Sequence, residues 1–311
     1  MKKLALVAFI ACCIAPALLS AREWTSTDGR KLQADFVSLS GDTVILRRSS
    51  DGREFTLALD RLSESDREWI ETRAADRSAA GDEDPPATKP FEGPYAELIT
   101  GDWRQFEGEG DLQLMFFGAK SLDPAKEYPL VLYLHGKGND VLSKAHLGFA
   151  ASCADPKNYA ERPCFIVAPQ CPDENGWRGE VASNVIDTIE DLSAKLPIDE
   201  DRIYLAGYSM GGFGTFQLLV DEPKLFAAGV PIAGGVNVGA ARDLRRTPLW
   251  VFHGEQDDVV PPDGSRAIVK ALERLRAPVR YTEFPGAGHG ITGEVNANAE
   301  LHQWLFDQKR R

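Results

Sequence analysis

Arg202-Ile203-Tyr204-Leu205-Ala206-Gly207-Tyr208-Ser209-Met210-Gly211-Gly212 is the stretch that decides the fold. Its first half is apolar and strand-like. Its second half is rich in small residues and opens an apolar run, Phe213 to Val220, broken only by Gly214. Between the halves lies Gly207-x-Ser209-x-Gly211, the spacing of a sharp strand-to-helix turn with an exposed serine. Such a turn strains the serine backbone and brings residues two positions away too close for a Cβ, so glycine is needed on both sides. The serine Oγ then stands at the positive end of a helix, where a developing oxyanion can be held.

Outward from this turn, strand-like and helix-like runs alternate. Strands are expected at Leu112–Phe117, Leu130–Leu134, Phe165–Ala168, Ile203–Ala206, Ala227–Ile232, Leu249–Phe252 and Val279–Phe284. Helices are expected at Val181–Leu196, Met210–Val220, Ala267–Leu275 and Glu300–Gln308. Continuous apolar strands between helices argue an α/β fold with a mostly parallel sheet covered on both faces. In such sheets the chemistry gathers at the carboxyl ends of the strands.

Three loops at those ends carry the expected chemistry. Leu134-His135-Gly136-Lys137-Gly138 matches loops whose backbone N–H supplies half of an oxyanion hole. The N–H of Lys137 is assigned that part, and the N–H of Met210 the other half. Trp250-Val251-Phe252-His253-Gly254 leads into Asp257, placed to accept from a histidine Nδ1–H. Asp258 reads as a solvated loop acid and His253 as a buried partner for loop backbone. The third loop, Phe284-Pro285-Gly286-Ala287-Gly288-His289-Gly290, sets His289 among small residues after the last strand. Of the five histidines, His146 and His302 lie in helical stretches and read as surface residues. The order Ser209, Asp257, His289 is the chain order of the α/β-hydrolase triad.

The length of 311 residues accommodates one large domain and a small one. A net charge of -12 disfavours nucleic acid and anionic membrane surfaces as partners. Residues 1–21 read as an export signal: Lys2 and Lys3, an apolar run from Leu4 to Leu19, and a small-residue end at Ala21. The run is short for a spanning helix, so no stable membrane insertion is expected after cleavage. Cys153, Cys164 and Cys171 then remain, an odd number that allows one disulfide and one thiol. Their spacing matches no metal-ligand pattern, and no metal or organic cofactor is implied.

Residues 22–76 alternate in period two, at Leu32, Ala34 and Phe36, at Val44 and Leu46, and at Phe55, Leu57 and Leu59. Asp28-Gly29, Gly41-Asp42 and Asp51-Gly52 separate them as hairpin turns. Ser63-x-x-Asp66 reads as a capping box ahead of a short helix. Arg22-x-Trp24-Thr25, Asp28-Gly29-Arg30, Phe36-Val37 and Leu62-Ser63-x-x-Asp66 give this stretch a resemblance to the SH3-like small barrel found in front of exported bacterial hydrolases. The resemblance implies a binding or spacing role for an unknown ligand; Trp24 and Phe36 read as core. Residues 77–90, with Pro85-Pro86 and Pro90, read as an acidic linker before a catalytic domain over 91–311.

Residues 91–311 resemble the dienelactone hydrolase and prolyl-oligopeptidase-like group of α/β-hydrolases, and within it the exported predicted-peptidase and polysaccharide-esterase-like proteins. The residues that carry the likeness include Tyr128-Pro129-Leu130, Leu134-His135-Gly136, Ala168-Pro169-Gln170-Cys171-Pro172, Asp201-Arg202-Ile203-Tyr204, Gly207-Tyr208-Ser209-Met210-Gly211-Gly212, Phe252-His253-Gly254 and Gly288-His289. Gly290-Ile291-Thr292-Gly293 departs from the group, which often carries an acid or aromatic there. The resemblance implies a serine hydrolase acting on a small-molecule or oligosaccharide ester, with Trp177 and Glu180 candidates to line its pocket. A serine peptidase is the alternative, although residues 22–76 are too few for the propeller of prolyl oligopeptidases. A non-catalytic binder is the third reading, and the intact Ser209, Asp257 and His289 set argues against it.

Overall fold

A computed structural model of the chain describes residues 22–27, 29–40, 43–48, 54–70, 91–172 and 176–310. The chain divides into two compact units between Ala87 and Thr88. Residues 1–21, read above as an export signal, the whole 77–90 stretch read as a linker, Asp28, and the Gly41-Asp42 and Asp51-Gly52 turns lie outside the described residues.

In the front unit, β1 (Arg22–Thr25), β2 (Lys31–Ser40), β3 (Thr43–Arg48) and β4 (Glu54–Ala58) form an antiparallel sheet in that order, followed by helix α1 over 64–70. Trp24, Ala34, Val44, Leu46, Leu62 and Ile70 are its buried core. The Trp24 ring meets Phe36 and Trp69, and its indole N–H donates to the Ala34 carbonyl, so both aromatics expected to be core are packed. The capping box is half formed. Ser63 Oγ accepts from the Asp66 N–H and donates to the Asp66 carboxylate at 2.9 Å, but the Ser63 N–H goes to the Thr25 carbonyl, while that carboxylate also takes Arg22 at 2.5 Å and the Thr25 N–H at 2.7 Å. A buried acid takes the guanidinium because a charge out of water needs a partner.

The second unit opens with β5 (Arg104–Glu107), β6 (Gln113–Phe117) and β7 (Tyr128–Leu134). Helices α2 (Gly148–Ala154) and α3 (Pro156–Glu161) precede β8 (Phe165–Pro169). Then come α4 (Glu180–Lys195), β9 (Ile198–Tyr208), α5 (Met210–Asp221), β10 (Ala228–Ile232), α6 (Ala241–Leu244) and β11 (Leu249–Gly254). The chain closes with α7 (Asp263–Arg274), β12 (Val279–Phe284), α8 (Thr292–Asn296) and α9 (Ala299–Phe306). The strands form one sheet in the order β12-β11-β10-β9-β7-β8-β6-β5, parallel from β8 through β12 and antiparallel at β5 and β6. Strands β8, β10 and β11 are buried at every residue, as a sheet covered on both faces requires. Helix α4 explains how the cover works. Ala182, Val185, Ile189 and Leu192 recur at helical spacing on its buried side.

Register aligns the strand ends. Leu134 pairs with Gly207, Tyr208 with Ile232, and Gly254 with Phe284. The loops after β7, β9, β10, β11 and β12 therefore leave the sheet at one edge. Cys153, Cys164 and Cys171 are all buried and none is in a disulfide. Burial pushes the Cys153 and Cys164 thiols up, which keeps them unreactive. Among the described residues no helix is long and apolar enough to cross a membrane.

Gly211 fits only without a side chain: a Cβ there would stand 1.9 Å from the Leu134 carbonyl oxygen. Gly293, in α8, has nothing within 4 Å of that position. Gly211→Ala is expected to cost at least about 2 kcal/mol. Gly293→Ala should instead stabilise by about 0.5 kcal/mol. Chemical denaturation of both variants checks the contrast.

Candidate active site

Ser209 sits between β9 and α5 with φ 54° and ψ -114°, a backbone conformation L residues rarely adopt. What holds it there is crowding by main chain. A Cβ on Gly207 would meet the Gly211 carbonyl at 2.2 Å, and one on Gly212 the Ile232 carbonyl at 2.4 Å. The Ser209 N–H donates to the Ile232 carbonyl at 2.9 Å, and the Phe213 N–H to the Ser209 carbonyl at 3.0 Å. The Ser209 side chain makes no cap bond, so its Oγ faces outward.

His289 Nε2 lies 2.9 Å from that Oγ, and His289 Nδ1 lies 2.7 Å from Asp257 Oδ2. A carboxylate only accepts, so Nδ1 carries the proton and Nε2 is left to accept from the hydroxyl. Asp257 Oδ1 accepts from the Val259 N–H at 3.0 Å and the Val260 N–H at 2.8 Å. Burial by itself would push the Asp257 carboxyl up. The bonds from His289 and from these two amides outweigh it and hold the group below the ordinary carboxylate value. Asp258 is exposed and outside this chain of bonds. Ser209, Asp257 and His289, expected together from their order in the sequence, thus meet in one line of hydrogen bonds. Such a line can draw a proton from a hydroxyl and return it to a departing group.

Two of the remaining histidines are fixed beside the site. His253 is fully buried; its Nε2 donates to the Val260 carbonyl at 2.8 Å and stands 3.3 Å from Asp257 Oδ2, while Nδ1 meets Ser265 Oγ at 2.8 Å. It is a buried partner of loop backbone, as its position beside the acid loop suggests. His135 is also buried. Its Nδ1 donates to the Gly136 carbonyl at 2.7 Å, and its Nε2 accepts the Cys171 N–H at 2.9 Å. Burial keeps the ring below the ordinary imidazole value, hence neutral. This pair of bonds fixes the loop that carries Lys137. Gly136 is pressed against the elbow, with Ser209 Cβ 3.4 Å from where its own Cβ would be. Met210 opens α5, so its N–H has no acceptor within the helix.

Three expectations need correction. His302 is not a surface residue: it is buried, stacks on Phe149 at 4.9 Å and meets Ser152 Oγ at 3.3 Å. Helix α9 turns it inward on the same face as Leu301 and Leu305. His146 is exposed but lies in a turn, not a helix. Trp177 is only 2 % exposed; its indole N–H donates to the His135 carbonyl at 3.1 Å and its Cβ lies against Gly214. It packs behind the His135 loop. Glu180 is exposed at the start of α4. Tyr208 is the residue sequence reasoning passed over: its ring lies 5.1 Å from the His289 ring and its hydroxyl donates to the His289 carbonyl at 3.2 Å. Its place directly before Ser209 was the available signal.

The sequence pattern of the dienelactone hydrolase family matches residues 145–304, which include Ser209, Asp257 and His289. The chain belongs to the dienelactone hydrolase family. This family member is 35% identical to a thermostable esterase of known structure, with a TM-score of 0.64 over 68% of this chain and 64% of that one. It is 25% identical over 214 residues to a bifunctional acetylxylan esterase/xylanase of Neocallimastix patriciarum, covering 65% of this chain and 29% of that protein. It is likewise 25% identical over 162 residues to dipeptidyl aminopeptidase BIII of Pseudoxanthomonas mexicana, covering 40% of this chain and 24% of that protein. The family member therefore spans under a third of the length of either curated relative.

Two of the three buried histidines, His135 and His302, set a pH dependence. Burial lowers the affinity of His135 and His302 for protons below the ordinary value of 6.5. As pH falls through that value the unfolded chain takes up protons that these folded rings refuse, so stability drops. The thermal midpoint is expected to fall between pH 7 and pH 5, and His302→Gln to flatten that fall, both read by calorimetry.

Proposed function

We propose that this chain hydrolyses carboxylic esters through Ser209, His289 and Asp257. The observation that carries the reading is the pair of bonds at 2.9 and 2.7 Å that ties a strained, outward-facing hydroxyl to a buried carboxylate through one imidazole. His289 Nε2 takes the Ser209 proton as Oγ attacks the ester carbonyl. The Nδ1–H bond to Asp257 stabilises the imidazolium that forms. The N–H groups of Met210 and Lys137 receive the oxyanion, and His289 returns the proton to the departing alcohol. Water enters by the same route and releases the acid from the acyl-enzyme. No metal or organic cofactor takes part in these steps.

The esterase relatives support an ester of a small molecule or an oligosaccharide as substrate. The dipeptidyl-peptidase relatives make amide hydrolysis on the same three residues the second reading. The basic and apolar residues 2–19 support export with cleavage after Ala21. The front sheet supports an SH3-like module that binds or spaces, and the residues between the units a linker.

Ser209→Ala is expected to lower hydrolysis of p-nitrophenyl acetate by roughly 10⁴-fold or more. Asp257→Asn keeps the shape but reverses the imidazole tautomer, for an expected loss of roughly 10⁴-fold in kcat. Steady-state kinetics on the ester and on a p-nitroanilide amide decide the reading. A Ser209→Ala protein as active as wild type would end it, and faster amide cleavage would reverse the order of the two readings.

A further inference from the structure

Among the described residues four large apolar side chains stand exposed: Phe213 at 46 %, Val238 at 50 %, Val259 at 66 % and Leu275 at 44 %. Leu275 ends α7 and lies apart in the chain. The other three belong to the segments that follow β9, β10 and β11, all at the edge where Ser209 stands. Single exposed apolar residues are ordinary, but three on successive segments at the edge that carries Ser209 call for a closer look.

Phe213 is the telling member. The solvent stripe of α5 runs Phe213, Gln217, Asp221, at every fourth residue, and the other two are polar. Phe213 is one helical turn past Ser209, and side chains in a helix lean back toward the preceding turn. Beside the ring lies backbone, the buried Gly235 and beyond it the exposed Gly264. Phe213 Cε1 lies 3.6 Å from where a Gly235 Cβ would be, and Gly235 in turn abuts Gly264. Gly264 is exposed, and a Cβ there would meet only the Gly235 Cα, at 3.9 Å. Neither glycine has a positive φ, so neither is demanded by the backbone. Their effect is to leave a step without side chains next to an exposed aromatic ring.

From this we infer that the Phe213 ring and the Gly235–Gly264 step form a shelf that seats an apolar acyl group larger than acetyl. The inference rests on the esterase reading. The acyl group is the occupant because it stays bonded to Ser209 Oγ through both half-reactions, whereas the alcohol leaves after the first. A ring one helical turn from that oxygen therefore meets the tethered chain in both steps. Val238 and Val259 are the exposed apolar residues of the segments after β10 and β11.

The test is the ratio of kcat/KM for p-nitrophenyl hexanoate to that for p-nitrophenyl acetate. Phe213→Ala should lower it by at least about fivefold, since each buried methylene is worth a few-fold in rate. Gly264→Leu should lower it as well, by filling the step. This variant has room for the new side chain and gains helix propensity, so it folds. A parallel series, hexyl acetate against methyl acetate, reads the alcohol side and should keep its ratio in both variants. An unchanged acyl ratio in both variants overturns the shelf, as does a change confined to the alcohol series. A shift in oligomeric state in Phe213→Ala with equal loss on every ester also overturns it, in favour of a second copy of the chain. A wild-type protein that turns over no ester fails the esterase reading itself, an outcome distinct from an active enzyme whose ratio does not move.

Discussion

A strand becomes a helix within one residue at Ser209, and the rest of the second unit is arranged to permit it. The left-handed backbone at that serine is costly for a residue with a Cβ. It persists because carbonyl oxygens from Leu134, Gly211 and Ile232 crowd the turn at distances only glycine tolerates. Three glycines at 207, 211 and 212 therefore serve as clearance, and the strain is stored in the one residue whose side chain must face outward. Parallel pairing of β9 with β7 and β10 supplies two of the crowding carbonyls, which makes the sheet order itself a condition for the site.

Charge is managed by hydrogen bonding. Asp257 is buried where an unpaired carboxylate would take up a proton. Two backbone amides and one imidazole keep it ionised. The loop that encloses it is in turn pinned by His253 through the Val260 carbonyl. On the opposite side of Ser209, His135 does similar work while neutral, holding Gly136 and Cys171 together with one donor and one acceptor. Two histidines build the frame, and a third, His289, is left with a nitrogen turned to the serine. Tyr208 lies against that third ring and ties its backbone.

Much of this was legible in the chain. The glycine spacing around Ser209, the loop positions of Asp257 and His289, and the apolar strands all follow from local rules that tolerate little substitution. Less legible were features set by distant packing. Strand β5 has no apolar run, since Arg104 and Gln105 at its start are exposed on an edge strand. His302 looked like a surface residue because burial of a polar ring depends on Phe149 and Ser152, some 150 residues away. Trp177 was a candidate pocket residue from its place in the loop after Pro172 alone. It is packed because Gly214 leaves a hollow in α5 that the indole fills. Aromatic residues in loops disclose their side only when the partner surface is known.

The proposed function requires His289 to make the Ser209 oxygen uniquely nucleophilic. Reaction with a fluorophosphonate, followed by peptide mass spectrometry, tests it without any assumption about the substrate. One adduct is expected, on Ser209, with near-complete loss in His289→Gln. An adduct on another residue, or Ser209 labelling at an unchanged rate without the imidazole, would contradict it.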